Sequence, residues 1–278
     1  METKDITFVI VTFKSENIIF DCIDLLPGDS KKIIIENSNN LDLKNSLEKK
    51  YENLSCLLMS KNLGYGKGNN IGINQSQTEN VFILNPDTRF KNSDLKKFLN
   101  IVKNENYAIA APTLLKDKGV FKNKDNIKEV EFVKGFAMLL NKKYLRNNYF
   151  DENFFLYHEE IDLCKRVKND GGRILLVNTP IIHYGTLSHG ERNNLEMEKS
   201  RNWHWMWSKF YYKKKHYGYL IGLWSTLPNF LSSLLKFLFY SLTKNIDKKN
   251  IYEMRFLGLL NSYLLKKSHH RPNLEKIK

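Results

Sequence analysis

The feature that most constrains this chain is its opening. Residues 6–12 read ITFVIVT, a continuous β-rich apolar run with no polar alternation. A strand that is apolar on both sides must be buried on both sides, as in a parallel sheet covered by helices. A helical spacing follows over 15–26, where Ile18, Ile19, Cys22, Ile23 and Leu26 share a face and Pro27-Gly28 stop the pattern. The alternation then continues. Strands are expected at 32–35, 54–59, 81–84, 107–111 and 173–177, and helices at 42–51 and 95–102. A glycine-rich loop over 62–72 is expected to lead into a helix ending near Ser76. Such alternation predicts an α/β fold with a single, mostly parallel sheet flanked by helices. Ligands on these sheets sit beyond the carboxyl ends of the strands. The polar clusters 12–14, 36–38 and 85–87 all fall at strand ends, so they are expected to converge.

The length of 278 residues suits one full domain and an appendage, here divided as 1–212 and 213–278. A net charge of +14 points to an anionic partner, whether a nucleic acid, an anionic membrane or phosphorylated small molecules; a lysine-rich composition bias is the plainer account. Cys22, Cys56 and Cys164 are widely spaced and form no CxxC, which argues against a disulfide framework or structural zinc and for a reducing compartment. Residues 1–5 run straight into the first strand without the basic start and apolar run of a signal peptide, so a cytoplasmic location is expected.

From about Tyr211 the composition shifts. No charged residue occurs over 217–235, but Pro228, Asn229, three serines and then Lys236 interrupt the apolar character. Basic and aromatic residues flank both ends. The expected arrangement is a helical extension lying on an anionic membrane surface, peripheral on the inner face of the plasma membrane. A membrane span, or helices packed on the core or a partner chain, are the other arrangements.

Four segments carry candidate chemistry. Asn85-Pro86-Asp87 ends a buried strand and offers a hard oxygen ligand for Mg²⁺ or Mn²⁺, although Asn-Pro-Asp is also good turn chemistry. Residues 62–72 (NLGYGKGNNIG) suggest a close backbone approach to a ligand, or simply a flexible turn; they match neither GxxxxGK[ST] nor GxGxxG. The acids Glu159, Glu160 and Asp162 follow an aromatic run. A helix starting near Glu159 would pair Asp162 with Arg166 across one turn and leave a carboxylate to act as general base, or would merely be a solvated acidic helix start. His183, after the last strand, could complete a metal site or be structural.

Taken together and in this order, VTF at 11–13, IIIENS at 33–38, NLGYGKGNN at 62–70, ILNPD at 83–87, the Gly135 segment, FDENFFLYHEEIDLCKR at 150–166 and IIHYG at 181–185 resemble a family 2 glycosyltransferase of the rhamnosyltransferase-like group, over roughly residues 5–215. The resemblance implies the A-type glycosyltransferase fold and a nucleotide-diphosphate sugar as donor. It implies donor contacts from Thr12, Phe13, Glu36, Asn62, Gly64 and Asn85. It makes Asp87 the main ligand of a Mg²⁺ or Mn²⁺ ion, with His183 beside it, and Glu160 the catalytic base, with Glu159 as second candidate. Glu36 and Glu160 each stand where the family usually has the shorter Asp.

The activity so implied is inverting transfer of a sugar such as rhamnose to a glycan or lipid-linked glycan acceptor in cell-surface polysaccharide synthesis. An inactive, glycan-binding relative would share the same motifs. A sugar nucleotidyltransferase is disfavoured by the absence of glycine from VTFKSEN, and a nucleic-acid partner by the absence of a recognised motif.

Overall fold

The computed structural model describes residues 1–115, 121, 125–185 and 195–272. The chain divides into two compact units, one made of 1–150 and 160–192, the other of 151–159 and 193–278.

The first unit is α/β. In chain order it comprises β1 (Ile6–Thr12), α1 (Ile19–Ile23), β2 (Lys31–Glu36), α2 (Leu41–Lys50), β3 (Leu54–Leu58), α3 (Tyr65–Gln75), β4 (Asn80–Leu84), β5 (Thr88–Arg89), α4 (Asn92–Val102), β6 (Ile109–Leu114), β7 (Ile127–Glu129), β8 (Ala137–Asn141), α5 (Lys142–Leu145), α6 (Glu159–Asn169) and β9 (Ile174–His183). The strands form one sheet in the order β3-β2-β1-β4-β8-β6-β9-β5, with β7 pairing β9. From β3 to β4 every pairing is parallel. β8 then runs antiparallel between β4 and β6, while β6 and β9 are parallel.

The apolar opening run is buried on both sides, as its composition requires. Ile6, Phe8 and Ile10 face one core, where Phe8 stacks on Phe82, and Val9 faces the other with Ile73, Val81 and Ile83. Burial of this kind is worth roughly 1.5–3 kcal/mol per large apolar side chain.

Three expectations need correction. The glycine-rich stretch is mostly helix, not loop. Gly68 and Gly72 sit on the face of α3 that meets β1, where an added Cβ would lie 3.0 Å and 2.4 Å from Val11 and Val9 methyl carbons. These glycines set a close helix–strand approach, and only Gly64, with φ of 84°, turns the chain as the helix cap. The last strand runs on past 177 to His183, so His183 belongs to it rather than following it. Its Pro180 is tolerated because the β6–β9 register shifts at Pro112/Thr113. The first helix shrinks to Ile19–Ile23.

The second unit contains three helices, α7 (Leu195–Tyr217), α8 (Tyr219–Leu242) and α9 (Ile246–Tyr263). α7 therefore runs continuously through 212/213. α7 and α9 meet closely at Gly258, where a Cβ would fall 2.3 Å from the Trp203 carbonyl oxygen. Met206, Phe210 and Leu259 form the small core. Segment 151–159 is tied to α7 by Tyr211 Oη donating to Asp151 (3.0 Å) and Ser208 Oγ donating to the Leu156 carbonyl (2.9 Å). Among the described residues, no helix is long and apolar enough to cross a membrane.

Candidate active site

Parallel pairing brings the carboxyl ends of β1 and β2 into register, with Thr12 opposite Glu36. Thr12 Oγ1 donates to Glu36 Oε2 at 2.6 Å, and the Ser38 backbone N–H donates to the other carboxylate oxygen at 2.6 Å. Both Thr12 and Glu36 are fully buried, so at this strand end they hold β1 to β2. Asn37 continues the chain of contacts. Its side-chain amide donates to the Gly64 carbonyl at 3.3 Å, while Asn62 Oδ1 accepts from Gly64 N–H at 2.9 Å. Thr12, Glu36, Asn62 and Gly64 therefore stand in one connected edge, with Phe13 next in sequence to Thr12. Asn37 was not singled out by sequence reasoning, although it lies inside the 36–38 polar cluster.

β4 ends at Leu84, and the chain turns through Asn85-Pro86-Asp87 into the two-residue strand β5. Thr88 of β5 pairs with His183 of β9, and the Tyr184 N–H donates to the Asp87 carbonyl. This pairing sets His183 Nε2 3.3 Å from Asp87 Oδ1. Asp87 is 1% exposed, and neither of its carboxylate oxygens has a hydrogen-bond partner among the described residues; nor does His183 Nε2. A buried carboxylate without hydrogen bonds is costly in free energy, and a bound ion is one of the arrangements that satisfies it. Arg89, another residue the sequence did not flag, braces the turn by donating to the Pro86 carbonyl (2.9 Å) and the Ile18 carbonyl (3.1 Å).

The dipeptide Gly135-Phe136 joins this pair to the acidic helix. The Phe136 ring stacks on His183, with centroids 4.5 Å apart, and its carbonyl accepts from Asn85 N–H at 2.8 Å. Gly135 abuts Glu160 so closely that an added Cβ would lie 3.3 Å from Glu160 Cβ, and the Tyr65 hydroxyl donates to the Gly135 carbonyl. Glu160, Gly135, Phe136, His183, Asp87 and Asn85 are thus neighbours in series.

α6 starts at Glu159, and Arg166 Nε donates to the buried Asp162 at 2.9 Å, as the four-residue spacing predicts. Two successive non-glycine residues before the helix, Tyr157 (φ 69°) and His158 (φ 67°), are left-handed. Strain of this kind is often stored beside functional groups. Glu159 is 4% exposed. Glu160 keeps part of its surface accessible, but protein atoms crowd its carboxyl group. That desolvation raises its pKa, against the opposing pull of the Glu160 and Ile161 backbone N–H groups. Gly135→Ala would press on Glu160. The expected result is a fall in turnover of about tenfold or more with nucleotide binding retained, since misplacing a catalytic group by 1 Å can cost about 10²-fold. Steady-state kinetics beside nucleotide titration check it.

The parallel part of the sheet thus gathers a buried acid–imidazole pair at its carboxyl edge with a desolvated carboxylate nearby. Residues 7–165 match the glycosyl transferase family 2 model, and the chain belongs to that family. It is 26% identical over 193 residues to a low-salt glycan biosynthesis hexosyltransferase of Haloferax volcanii, a match covering 60% of this chain and 62% of that one. It is 23% identical over 236 residues to a rhamnosyltransferase of Escherichia coli K12, covering 70% and 88%. Among solved structures, a mannosyltransferase from Pyrobaculum calidifontis in complex with GDP-Man and Mn²⁺ superposes with a TM-score of 0.57 at 10% identity, covering 96% of this chain and 89% of that one. The shared architecture is the A-type glycosyltransferase fold.

Proposed function

We propose that the chain is an inverting glycosyltransferase that moves a hexose or deoxyhexose, rhamnose among them, from a nucleotide-diphosphate donor to a hydroxyl of a glycan or lipid-linked glycan. The observation that carries this reading is the buried Asp87 carboxylate, without a hydrogen-bond partner among the described residues and 3.3 Å from His183, at the strand end where such sheets bind ligands.

The pair suits Mg²⁺ or Mn²⁺. Both ions accept carboxylate oxygen, Mn²⁺ also accepts imidazole, and Mg²⁺ in particular is commonly held by one or two protein groups plus substrate phosphates. Asp87 and His183 would hold the ion, which when bound neutralises charge on the departing diphosphate. The nucleoside is assigned to the edge at Phe13, Asn62 and Gly64, where the fully buried Thr12 and Glu36 hold β1 to β2, with Asn85 at the diphosphate end.

Glu160 takes the proton of the acceptor hydroxyl. The acceptor oxygen forms its bond to the anomeric carbon as the bond from that carbon to the diphosphate oxygen breaks, and the electron pair leaves with the nucleoside diphosphate. Glu160 is preferred to Glu159 because Glu160 is the acid that meets the Gly135-Phe136 dipeptide leading to His183. Its raised pKa makes it a stronger base than an ordinary carboxylate.

The test is thermal protection by a panel of nucleoside diphosphates and nucleotide sugars, each with and without Mn²⁺. One base should raise the melting temperature in a metal-dependent way, because a ligand that binds only the folded state stabilises it by mass action. Protection by no nucleotide under either condition would overturn the donor-site reading.

A further inference from the structure

The helix α8 packs Leu223 and Phe230 against the bundle core but leaves most of its large apolar side chains exposed. The residues it buries are small or polar, namely Gly222, Thr226 and Ser233. Thr226 hydrogen-bonds its own helix carbonyls and the Tyr263 hydroxyl. Other large apolar side chains point away from the bundle, with Trp224 72%, Leu235 65% and Leu242 84% exposed. Leu220, Trp224, Leu231, Leu235, Leu238 and Leu242 recur at intervals of three, four and seven residues, so they form one unbroken stripe on the outer face of a helix of 24 residues. A contiguous stripe of exposed large apolar side chains marks a binding face.

Three observations select what covers it. First, the rim is basic. Between residues 219 and 250 there are four lysines (Lys236, Lys244, Lys248 and Lys249) and one acid, Asp247, and α8 itself has no acid. A second copy of the chain would bring like charges together, whereas an anionic bilayer would attract them. Second, aromatic rings anchor the lysines. Lys236 Nζ lies 5.1 Å from the Tyr252 ring and Lys248 Nζ 5.3 Å from the Tyr240 ring, an amphipathic arrangement typical of the membrane–water boundary. Third, the helix is not long and apolar enough to cross a bilayer, and its other face is occupied by α7 and α9.

We infer that the outer face of α8 lies in the headgroup region of an anionic bilayer, with the stripe from Leu220 to Leu242 inserted among the acyl chains and Lys236, Lys244, Lys248 and Lys249 at phosphate level. This goes beyond the transfer reaction and does not depend on it.

The test uses the full chain and vesicles of phosphatidylcholine with or without about 30% phosphatidylglycerol, a content that gives the surface an appreciable negative potential. The chain should co-float with the anionic vesicles and less with the neutral ones, and added salt should weaken the binding. Trp224→Glu/Leu235→Glu alters only exposed positions, and far-ultraviolet circular dichroism verifies that its helices persist. It should cut partitioning by at least about tenfold. Lys244→Gln/Lys248→Gln/Lys249→Gln should weaken binding to anionic vesicles and leave the residual neutral-vesicle binding unchanged.

Wild-type chain that stays off both vesicles, or a Trp224→Glu/Leu235→Glu variant that binds as well as wild type, would overturn the inference. So would a soluble dimer, with no vesicle binding, that this variant dissociates; the stripe would then be a contact between copies. Nucleotide and acceptor are absent throughout, so failure here leaves the donor site untouched.

Discussion

Asp87→Ala is expected to abolish metal-dependent nucleotide binding and lower turnover by at least about 10²-fold, the scale on which preorganised electrostatic stabilisation of a leaving group operates. The same substitution should not lower the melting temperature of the free protein. Both carboxylate oxygens of Asp87 are buried without hydrogen-bond partners among the described residues, so His183, 3.3 Å from Oδ1, is the contact that offsets their desolvation before a ligand arrives. Removing an acid held by structural hydrogen bonds would instead cost about 1–3 kcal/mol. Thermal unfolding with and without nucleotide therefore separates the two roles. Loss of nucleotide protection at unchanged or raised intrinsic stability is the signature of a ligand-holding acid, and a large drop in stability would make Asp87 a structural residue.

Glu160→Gln is expected to reduce turnover by about 10²–10⁴-fold, the usual contribution of a positioned general base, with nucleotide affinity within a few-fold of wild type. The pH dependence gives a second signature. Burial raises the pKa of Glu160, and a base works only when deprotonated, so kcat/KM should fall as pH drops through that raised value. The acid limb should therefore lie above the ordinary carboxylate range, and it should be absent from the residual rate of Glu160→Gln. An acid limb at the ordinary carboxylate position, or one that survives the substitution, would shift the role to another group. Glu159→Gln, measured in parallel, identifies that group if the loss moves there.

The parts of the fold that could be read from residues alone are those where composition dictates burial. β1 has the expected bounds because a doubly apolar run has one place to go, and the acidic helix begins where its first-turn carboxylates indicate. The stretch 62–72 misled because glycine weakens a helix in isolation; here the close approach of α3 to Val9 and Val11 outweighs that penalty, and this packing is not visible locally. The strands expected at 107–111 and 173–177 run on through Pro112 and Pro180, which are accommodated around a register shift. The antiparallel insertion of β8 was hidden for another reason: hydrophobic pattern marks which residues are buried, not the direction of the partner strand.

The site shows the same division. Asp87, His183 and Glu160 could be picked out by residue type and place in the chain. The nearness of His183 to Asp87 was expected only from the resemblance, and the residues that create it, β5 and Gly135-Phe136, were not visible, because their role is contact rather than chemistry. Arg89 and Tyr65 escaped notice because they act through backbone carbonyls, which no sequence pattern displays. The separation of 1–212 from 213–278 cuts through α7. We therefore propose that the functional boundary between the transferase and its helical extension lies ahead of that helix, where the compact units also part.

Sugar transfer from a nucleotide donor releases nucleoside diphosphate, and measuring that release tests it most directly. The full chain would be incubated with a panel of nucleotide sugars and Mn²⁺, with and without a lipid extract carrying glycan acceptors. The account predicts acceptor-dependent release from one donor, lost in Asp87→Ala and Glu160→Gln and retained in Lys244→Gln. Nucleotide binding with no release from any donor, with or without acceptor, would contradict it and leave a family member that binds without transferring.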